Sequence, residues 1–332
     1  MAVLTIDIGN TRGKFAVISQ EGVLVSFGYL ENLDGGLGEI KQLCENSQVW
    51  EDPIKSIIYS SVKKVLFDWI LWKLDALNPI EIKDLMFHLP FQVDIEQPET
   101  LGSDRLAGVM GCMYFLENRR TNGLSNVSGQ IEQLHDRDFS YNTNTSGLDD
   151  EPEEKSPKKA ENDSNKFGVP DFMMIDAGTC VTYDYVKGGV LRIDNRNSME
   201  SGSIGSEPRL DTSKAPVYFG GAISPGLRLR YKAMSDYTDA LPLLDVGLAD
   251  SGRFEIGDIG KHTVEAMHSG VIVGFVDEIS GRIDRFKEKF VDSQVFLTGG
   301  DADFLGKRLK SGIFVEPMLL HYGLFYADQF KR

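Results

Sequence analysis

Two short segments, one in each half of the chain, end an apolar stretch with an aspartate followed two positions later by a glycine. They run from Ile6 to Thr11 (IDIGNT) and from Ile175 to Cys180 (IDAGTC). The glycine lets a ligand approach the backbone closely, and the Asn or Thr after it adds short polar contacts. The aspartate is placed to hold a cation beside a phosphate chain. One such segment alone is typical of a plain β-hairpin, but two in register predict a duplicated fold that binds phosphate.

A third carboxylate that could take part in catalysis lies at the start of segment 101–118, which has apolar residues at helical spacing. Asp104 and Arg105 fall in its first turn, where the positive end of the helix dipole stabilises a negative charge. A carboxylate there is suited to accept the proton of an alcohol, and Arg105 can pair with a substrate carboxylate or with an adjacent aspartate. Taken alone, the pair is also consistent with helix capping and a surface ion pair.

Other site types are absent from the sequence. It contains no GxxxxGK[ST], HExxH or GxSxG motif, and no GxGxxG follows the first strand. His262 and His268 are six positions apart and would not share a helix face, which disfavours a zinc pair. What remains is a phosphate-binding α/β protein built on Asp-Gly hairpins.

The elements that must position these residues alternate between strands and helices, which is typical of an α/β layer. Predicted strands cover 2–8, 14–19, 22–28, 54–62 and 169–176, and predicted helices cover 36–48, 64–77, 101–118 and 261–290. A strand, a double-glycine turn and a helix start are predicted at 293–305, and a short strand and a final helix at 314–329. We predict a first lobe at 1–118, a polar, mobile insertion at 119–168, and a second lobe at 169–332 with a polar loop at 192–214.

Composition limits the partners and the compartment. The 332 residues carry 35 Lys and Arg against 50 Asp and Glu, a formal charge of -15, which argues against nucleic-acid and anionic-membrane surfaces. The three cysteines, Cys44, Cys112 and Cys180, lie far apart, as is usual in a reducing compartment. The first ten residues do not have the pattern of a signal peptide, and the apolar run at 270–276 is too short to span a membrane. We therefore expect a cytoplasmic protein.

Five motifs occur in a specific order: D-x-G-N-T at 7–11, G-x-D-R at 102–105, D-x-G-T at 176–179, G-G-x-I-x-P-G at 220–226 and T-G-G-D at 298–301. In this order the chain resembles the type III pantothenate kinases, members of the actin/hexokinase/Hsp70-like ATPase superfold. The resemblance implies a duplicated actin-like ATPase (ribonuclease H-like) fold, with two lobes of mixed sheets flanked by helices. It also implies ATP-dependent phosphorylation of pantothenate to 4'-phosphopantothenate, the first step of coenzyme A biosynthesis. Magnesium bound with ATP, a potassium or ammonium ion, and a homodimer belong to the same expectation.

The resemblance also implies a role for each matching residue. Asp104 is expected to be the proton acceptor, Asp176 the ligand of the monovalent cation, and Asp7 the ligand of magnesium. The ATP-binding residues are expected to be Asp7, Ile8, Gly9, Asn10, Thr11, Arg12, Gly13, Lys14 and Thr179. The substrate-binding residues are expected to be Gly102, Ser103, Asp104, Arg105 and Thr263.

Two positions depart from the family pattern. Ile95 stands where a Tyr is common, and His262 stands where an Asn often precedes the Thr. Two other functions stay open at this point: a kinase of the same superfold acting on another small alcohol such as a sugar, and a non-catalytic nucleotide-binding regulatory protein.

Overall fold

The structure is a computed structural model that describes residues 2–30, 54–62, 78–122, 166–192, 214–245, 257–309 and 312–331. The predicted helices at 36–48 and 64–77 lie outside the described residues, as do nearly all of the loop at 192–214 and most of the insertion at 119–168. None of the described helices is long and apolar enough to cross a membrane.

The first half forms a five-stranded mixed sheet. Its strands are β1 (Ala2–Ile8), β2 (Gly13–Ser19), β3 (Leu24–Leu30), β4 (Ile54–Ser61) and β5 (Ile80–Glu81), in the order β3-β2-β1-β4-β5. β1 and β3 run antiparallel to β2, whereas β4 and β5 run parallel to β1. The third strand begins two residues later than predicted, because Gly22 has a φ of 80° and belongs to the turn before the strand.

The second half repeats this arrangement. A two-stranded ribbon pairs β7 (Lys166–Val169) with β10 (Gly189–Arg192). The main sheet contains β6 (Gln92–Val93), β8 (Phe172–Ala177), β9 (Cys180–Lys187), β11 (Val217–Pro225), β12 (Gln294–Thr298) and β13 (Phe314–Val315). Its order is β13-β12-β8-β9-β11-β6.

When the added edge strand β6 is set aside, the strand order and directions match those of the first sheet, with β8 in the place of β1. The fold is therefore α/β and duplicated, as expected for the actin-like, ribonuclease H-like architecture. The predicted strand at 169–176 is divided between β7 and β8, because Pro170 has no N–H to donate and Asp171 instead accepts a hydrogen bond from the backbone N–H of Gly188 at 2.6 Å.

Two helices fill the space between the sheets. They are α1 (Ser103–Asn122) and α6 (Leu319–Ala327), and their apolar side chains form one buried cluster with the inner faces of both sheets. The helices approach each other closely because Gly111 and Gly323 have no side chain. A Cβ on Gly323 would collide with the carbonyl oxygen of Ala107. The N-terminus of α1 is thereby fixed between the two halves.

The outer face of the second sheet is covered by α2 (Leu227–Asp236), α4 (Gly274–Lys289) and α5 (Ala302–Gly306), and α3 (Thr263–His268) contacts α2 through a hydrogen bond between His268 and Tyr231. A π-helical turn at 269–273 joins α3 to α4, so the helix predicted over 261–290 is helical from 263 to 289 with one wider turn. Successive residues of β8, β9 and β12 point alternately to the apolar cluster under these outer helices and to the inner cluster between the two sheets. The alternation directs Asp176, Thr182 and Thr298 to the inner side of the sheet.

Candidate active site

The first hairpin places Asp7 between a cationic and a hydroxyl side chain. Asp7 pairs with Lys14 across β1 and β2 and with Ser60 across β1 and β4. The pKa of Asp7 is raised to about 6, because burial and the charge of Asp104 together outweigh the opposing effects of Lys14 and the Ser60 hydroxyl. The turn that follows is closed by the N–H of Gly9, which donates to the carbonyl of Arg12 at 3.0 Å.

The second hairpin repeats this geometry without the lysine. Asp176 pairs with Thr182 on β9 and with Thr298 on β12, the positions that Lys14 and Ser60 occupy in the first sheet. The hydroxyl oxygens of Thr182 and Thr298 are buried and have no hydrogen-bond partner among the described residues. The pKa of Asp176 is raised to about 7, mainly by burial and also by the charges of Asp104 and Asp7, although the charge of Lys14 opposes the rise.

The turn of the second hairpin is two residues shorter than that of the first. β9 begins at Cys180, whose carbonyl accepts from the N–H of Gly178 at 3.0 Å, whereas the first turn runs from Gly9 to Arg12. The N-terminus of α2 adjoins the shorter turn, because Gly226 donates its N–H to the carbonyl of Thr179 at 3.1 Å. Backbone donors of the turn and of the helix start therefore lie close together.

The two hairpins meet at their tips. The hydroxyl oxygens of Thr11 and Thr179 are 2.8 Å apart, and both side chains are exposed. The two turns thus form one surface at the same end of the molecule. A surface of paired turns with backbone N–H groups and an aspartate behind each is suited to bind a chain of phosphates.

The start of α1 brings the third carboxylate to this place. Asp104 raises the pKa of both Asp7 and Asp176, so the three carboxylates share one electrostatic environment. The Asp104 carboxylate accepts the N–H of Arg105 at 2.9 Å and lies over Gly102, where a Cβ would collide with it. The hydroxyl of Ser103 donates to Glu81 at 2.6 Å, which fixes the segment that carries Asp104.

Arg105 is paired with a protein carboxylate. Its Nε donates to Oδ1 of Asp184 at 2.7 Å, and the hydroxyl of Tyr218 donates to the same oxygen at 2.8 Å. The pKa of Asp184 is raised to about 6, because burial outweighs the opposing effects of the Arg105 charge and the two hydrogen bonds. Of the two partners that the sequence leaves open for Arg105, the aspartate is present in the structure.

Other residues expected at the site differ in their position. Asn10 and Arg12 are exposed in the first turn, and Gly13 pairs with Ile8 at its base. The Ile8 side chain packs in an apolar cluster, and its carbonyl accepts from Val62, so neither group faces the turn surface.

Thr263 begins α3 and is exposed, and no hydrogen bond among the described residues links it to the carboxylates. The two departures from the family pattern have structural roles. Ring atom Nδ1 of His262 accepts the N–H of Glu265 at 3.5 Å, so His262 caps α3 as an Asn would. Ile95 packs against the inner apolar cluster.

The sequence reading missed five residues that contact or flank the site. Ser60, Thr182 and Thr298 lie beside Asp7 or Asp176 only because of strand register, and Tyr218 joins Asp184 from a separate strand. One signal was available, since Asp184 is an acidic residue in the middle of a strand that is mainly apolar and aromatic.

No group of three or more His, Cys, Asp or Glu side chains in the described part of the chain is arranged to hold a metal ion. A cation beside Asp7 or Asp176 would therefore need other oxygen ligands, such as hydroxyl groups or the phosphates of a nucleotide.

A sequence model of one family, described as type III pantothenate kinase, matches residues 3–122 and 211–285. The chain belongs to the type III pantothenate kinase family. A type III pantothenate kinase of Flavobacterium johnsoniae is 30% identical over 331 residues, which cover 99% of this chain and 98% of the relative. One from Bacteroides fragilis is 29% identical over 324 residues, covering 97% and 95%.

Among solved structures, the ROK family glucokinase of Streptomyces griseus in complex with glucose and AMPPNP is 14% identical, with a TM-score of 0.41. The match covers 100% of this chain and 99% of that chain.

Proposed function

We propose that this member of the type III pantothenate kinase family transfers the γ-phosphoryl group of ATP to the terminal hydroxyl of pantothenate. The products are ADP and 4'-phosphopantothenate, and the reaction is the first step of coenzyme A biosynthesis. The observation that supports this most strongly is the position of Asp104. Its charge acts on the aspartates of both Asp-Gly hairpins, and the two hairpins contact each other through Thr11 and Thr179.

The hairpins would hold the triphosphate. The backbone and polar side chains of 9–12 would contact phosphate oxygens from one side, and Thr179 would do so from the other. Lys14 supplies a positive charge beside them, since it lowers the pKa of both Asp7 and Asp176. Phosphoryl transfer depends mainly on such positioning and charge stabilisation, because the protein supplies little covalent chemistry.

Asp104 would activate the acceptor. Its carboxylate takes the proton of the pantothenate hydroxyl as that oxygen forms its bond to the γ-phosphorus, and the bond from phosphorus to the bridging oxygen of ADP breaks. Gly102 leaves the space that this carboxylate occupies, and the bond from Ser103 to Glu81 fixes the segment that carries it. Gly102, Ser103 and Arg105 would line the pantothenate side.

Magnesium bound with ATP would supply charge neutralisation on the phosphates. Asp7 fits as its protein ligand, because this carboxylate lies near the end of β1, two residues before Gly9, and an ion there would complete its ligands from nucleotide oxygens. Burial and the like charge of Asp104 both disfavour the ionised form of Asp7 in the protein alone, as its raised pKa shows, and a cation would reverse that effect.

A monovalent cation, potassium or ammonium, would belong to Asp176. The first sheet supplies its own cation beside Asp7, namely Lys14, whereas the equivalent position beside Asp176 is Thr182. The unpartnered hydroxyl oxygens of Thr182 and Thr298 fit a monovalent ion, because neutral oxygen ligands can replace the hydration shell of potassium, and Asp176 adds one carboxylate. The first hairpin thus has a positive charge in the Lys14 side chain, whereas the second hairpin has oxygen ligands that would bind a cation.

We also propose a homodimer, in which the exposed Thr263 of one copy reaches the substrate site of the other. This would account for the lack of any hydrogen bond, among the described residues, between Thr263 and the carboxylates of the site. A cytoplasmic location agrees with the use of ATP and with Cys112 and Cys180, both of which are free thiols.

The test is a coupled assay of ADP release with pantothenate and with a panel of sugars, combined with mass detection of the phosphorylated product. We expect pantothenate-dependent ADP release and a product of the mass of phosphopantothenate. Preferential turnover of a sugar would instead identify a related kinase, and ATP binding without turnover of any substrate would identify a regulatory protein. Either result would refute the proposal.

A further inference from the structure

Asp184 is a buried carboxylate that the reaction chemistry above does not use. It lies on β9, is fully buried and faces the inner side of the second sheet. Its Oδ1 accepts two hydrogen bonds, from Nε of Arg105 and from the hydroxyl of Tyr218. A carboxylate removed from water is costly unless it is paired, so this contact between α1 and two strands calls for an explanation.

The pairing leaves unused hydrogen-bonding capacity beside Asp104. Nη2 of Arg105 and Oδ2 of Asp184 are both buried without a hydrogen-bond partner among the described residues. Asp184 engages the guanidinium through Nε, which leaves Nη2 without a hydrogen-bond partner in the described part of the chain. Buried polar groups in native proteins are rarely left unpaired, and a functional role is one explanation for those that are.

The neighbouring strand is shaped around the guanidinium. Gly221 on β11 lies opposite Asp184, and a Cβ at this position would collide with Nη2 of Arg105 and with the carbonyl of Tyr183. The second glycine of the G-G-x-I-x-P-G motif therefore provides the room that the Arg105 side chain occupies. The guanidinium is held from one side by Asp184 and Tyr218 and is given space on the other.

We propose that Asp184 and Tyr218 are positioning residues that fix Arg105 so that its Nη nitrogens bind the carboxylate of the substrate. The inference rests on the proposed function, because it assigns the recognition of pantothenate's carboxylate to the residue next to the catalytic base. The hydroxyl lies at the other end of pantothenate from the carboxylate, so fixing one end sets where the other end can reach.

The physical argument is one of orientation. An arginine side chain has many rotamers, and a planar fork binds a carboxylate well only when its direction is set in advance. Anchoring through Nε sets the plane while leaving the two outer nitrogens for the ligand. The Tyr218 hydroxyl shares the negative charge of Oδ1, so Asp184 neutralises Arg105 less completely than it would alone.

The alternative is an ion pair that only stabilises the fold. Substrate discrimination separates the two, because a structural role affects all substrates alike. The probes are pantothenate and its primary amide, in which an uncharged carboxamide replaces the carboxylate. The variants are Tyr218→Phe, which removes one hydroxyl, and Asp184→Asn, which keeps the side-chain size. Tyr185→Phe is the matched control, since Tyr185 packs against Phe219 and Phe286.

We expect Tyr218→Phe to raise the KM for pantothenate about tenfold and Asp184→Asn to raise it further, with the KM for ATP unchanged. The ratio of kcat/KM for pantothenate to that for the amide should fall by about the same factors, and Tyr185→Phe should leave it as in the wild type. Thermal melting of each variant reports whether it is folded, and Tyr218→Phe provides the test if Asp184→Asn does not fold.

An unchanged acid-to-amide ratio in a folded Tyr218→Phe variant would overturn the inference while the proposed function stands. A wild-type protein that phosphorylates neither compound would instead overturn the proposed function itself.

Discussion

The hydroxyl oxygens of Thr11 and Thr179 lie 2.8 Å apart although 168 positions separate the two residues. Each belongs to the turn of an Asp-Gly hairpin, and the two hairpins occupy equivalent places in two sheets of the same topology. The contact converts two copies of one motif into a single surface. The contact also sets how far apart Asp7 and Asp176 lie behind the two turns. The charge of Asp104 acts on both of these aspartates.

We expect Thr11→Ala and Thr179→Ala each to raise the KM for ATP by about 3- to 10-fold, because each removes a hydroxyl from the phosphate surface. The double variant should show less than the product of the two effects, because either single change already breaks the contact between the turns. Steady-state kinetics at saturating pantothenate measures this. Strictly multiplicative effects would show that the two turns act independently.

The cation assignment predicts a stability effect as well as a kinetic one. Potassium chloride should raise the melting temperature of the wild type above its value in an equal concentration of choline chloride, because the ion binds the native state. Asp176→Asn and Thr298→Val should abolish the difference. Thr298→Val is a mild change in the absence of the ion, since the hydroxyl it removes has no partner among the described residues.

Thr182→Lys provides the converse experiment for the same site. This variant copies the first hairpin, in which Lys14 stands beside Asp7, into the second. Its activity should depend less on potassium than that of the wild type. Thr238→Val is a control on the described surface, since its threonine is exposed and remote in sequence from both hairpins. A potassium effect that persists in Thr298→Val and Asp176→Asn would refute the assignment.

The buried carboxyl group of Glu316 leads us to expect that the free energy of unfolding depends on pH, independently of catalysis. Burial raises its pKa from 4.5 to about 7, although its carboxylate accepts the N–H of Met318 at 2.8 Å. The folded state therefore binds more protons than the unfolded state between these pH values, and this contribution to stability is lost as the pH rises from 4.5 to 7.

Glu316→Gln keeps an acceptor for Met318 and removes the charge. We expect it to be more stable than the wild type by roughly 1–3 kcal/mol at pH 8, with the difference vanishing near pH 4.5. Denaturant unfolding at the two pH values measures this. If Glu316→Gln were destabilised equally at both pH values, the side chain of Glu316 would matter for its shape, and its buried charge would not lower stability.

Much of this arrangement follows from local sequence. An apolar strand that ends in Asp-x-Gly specifies a hairpin with its aspartate just before the turn, so Asp7 and Asp176 were predictable, as was Asp104 in the first turn of a helix. The family to which the motif order pointed is confirmed.

The remaining contacts depend on register between distant strands. The placement of Thr298 beside Asp176 and the pairing of Arg105 with Asp184, 79 positions away, result from packing that no local pattern encodes. The lobe boundaries stay a prediction, because most of the intervening segment lies outside the described residues.

The most direct test of the central claim compares Asp104→Asn with the wild type at saturating ATP, pantothenate and potassium, with ATP affinity measured on both proteins. Loss of the proton acceptor should lower kcat by about 10²–10⁴-fold and leave ATP binding nearly unchanged, because the two hairpins remain intact. Turnover by Asp104→Asn at the wild-type rate would remove Asp104 from the mechanism and contradict the account.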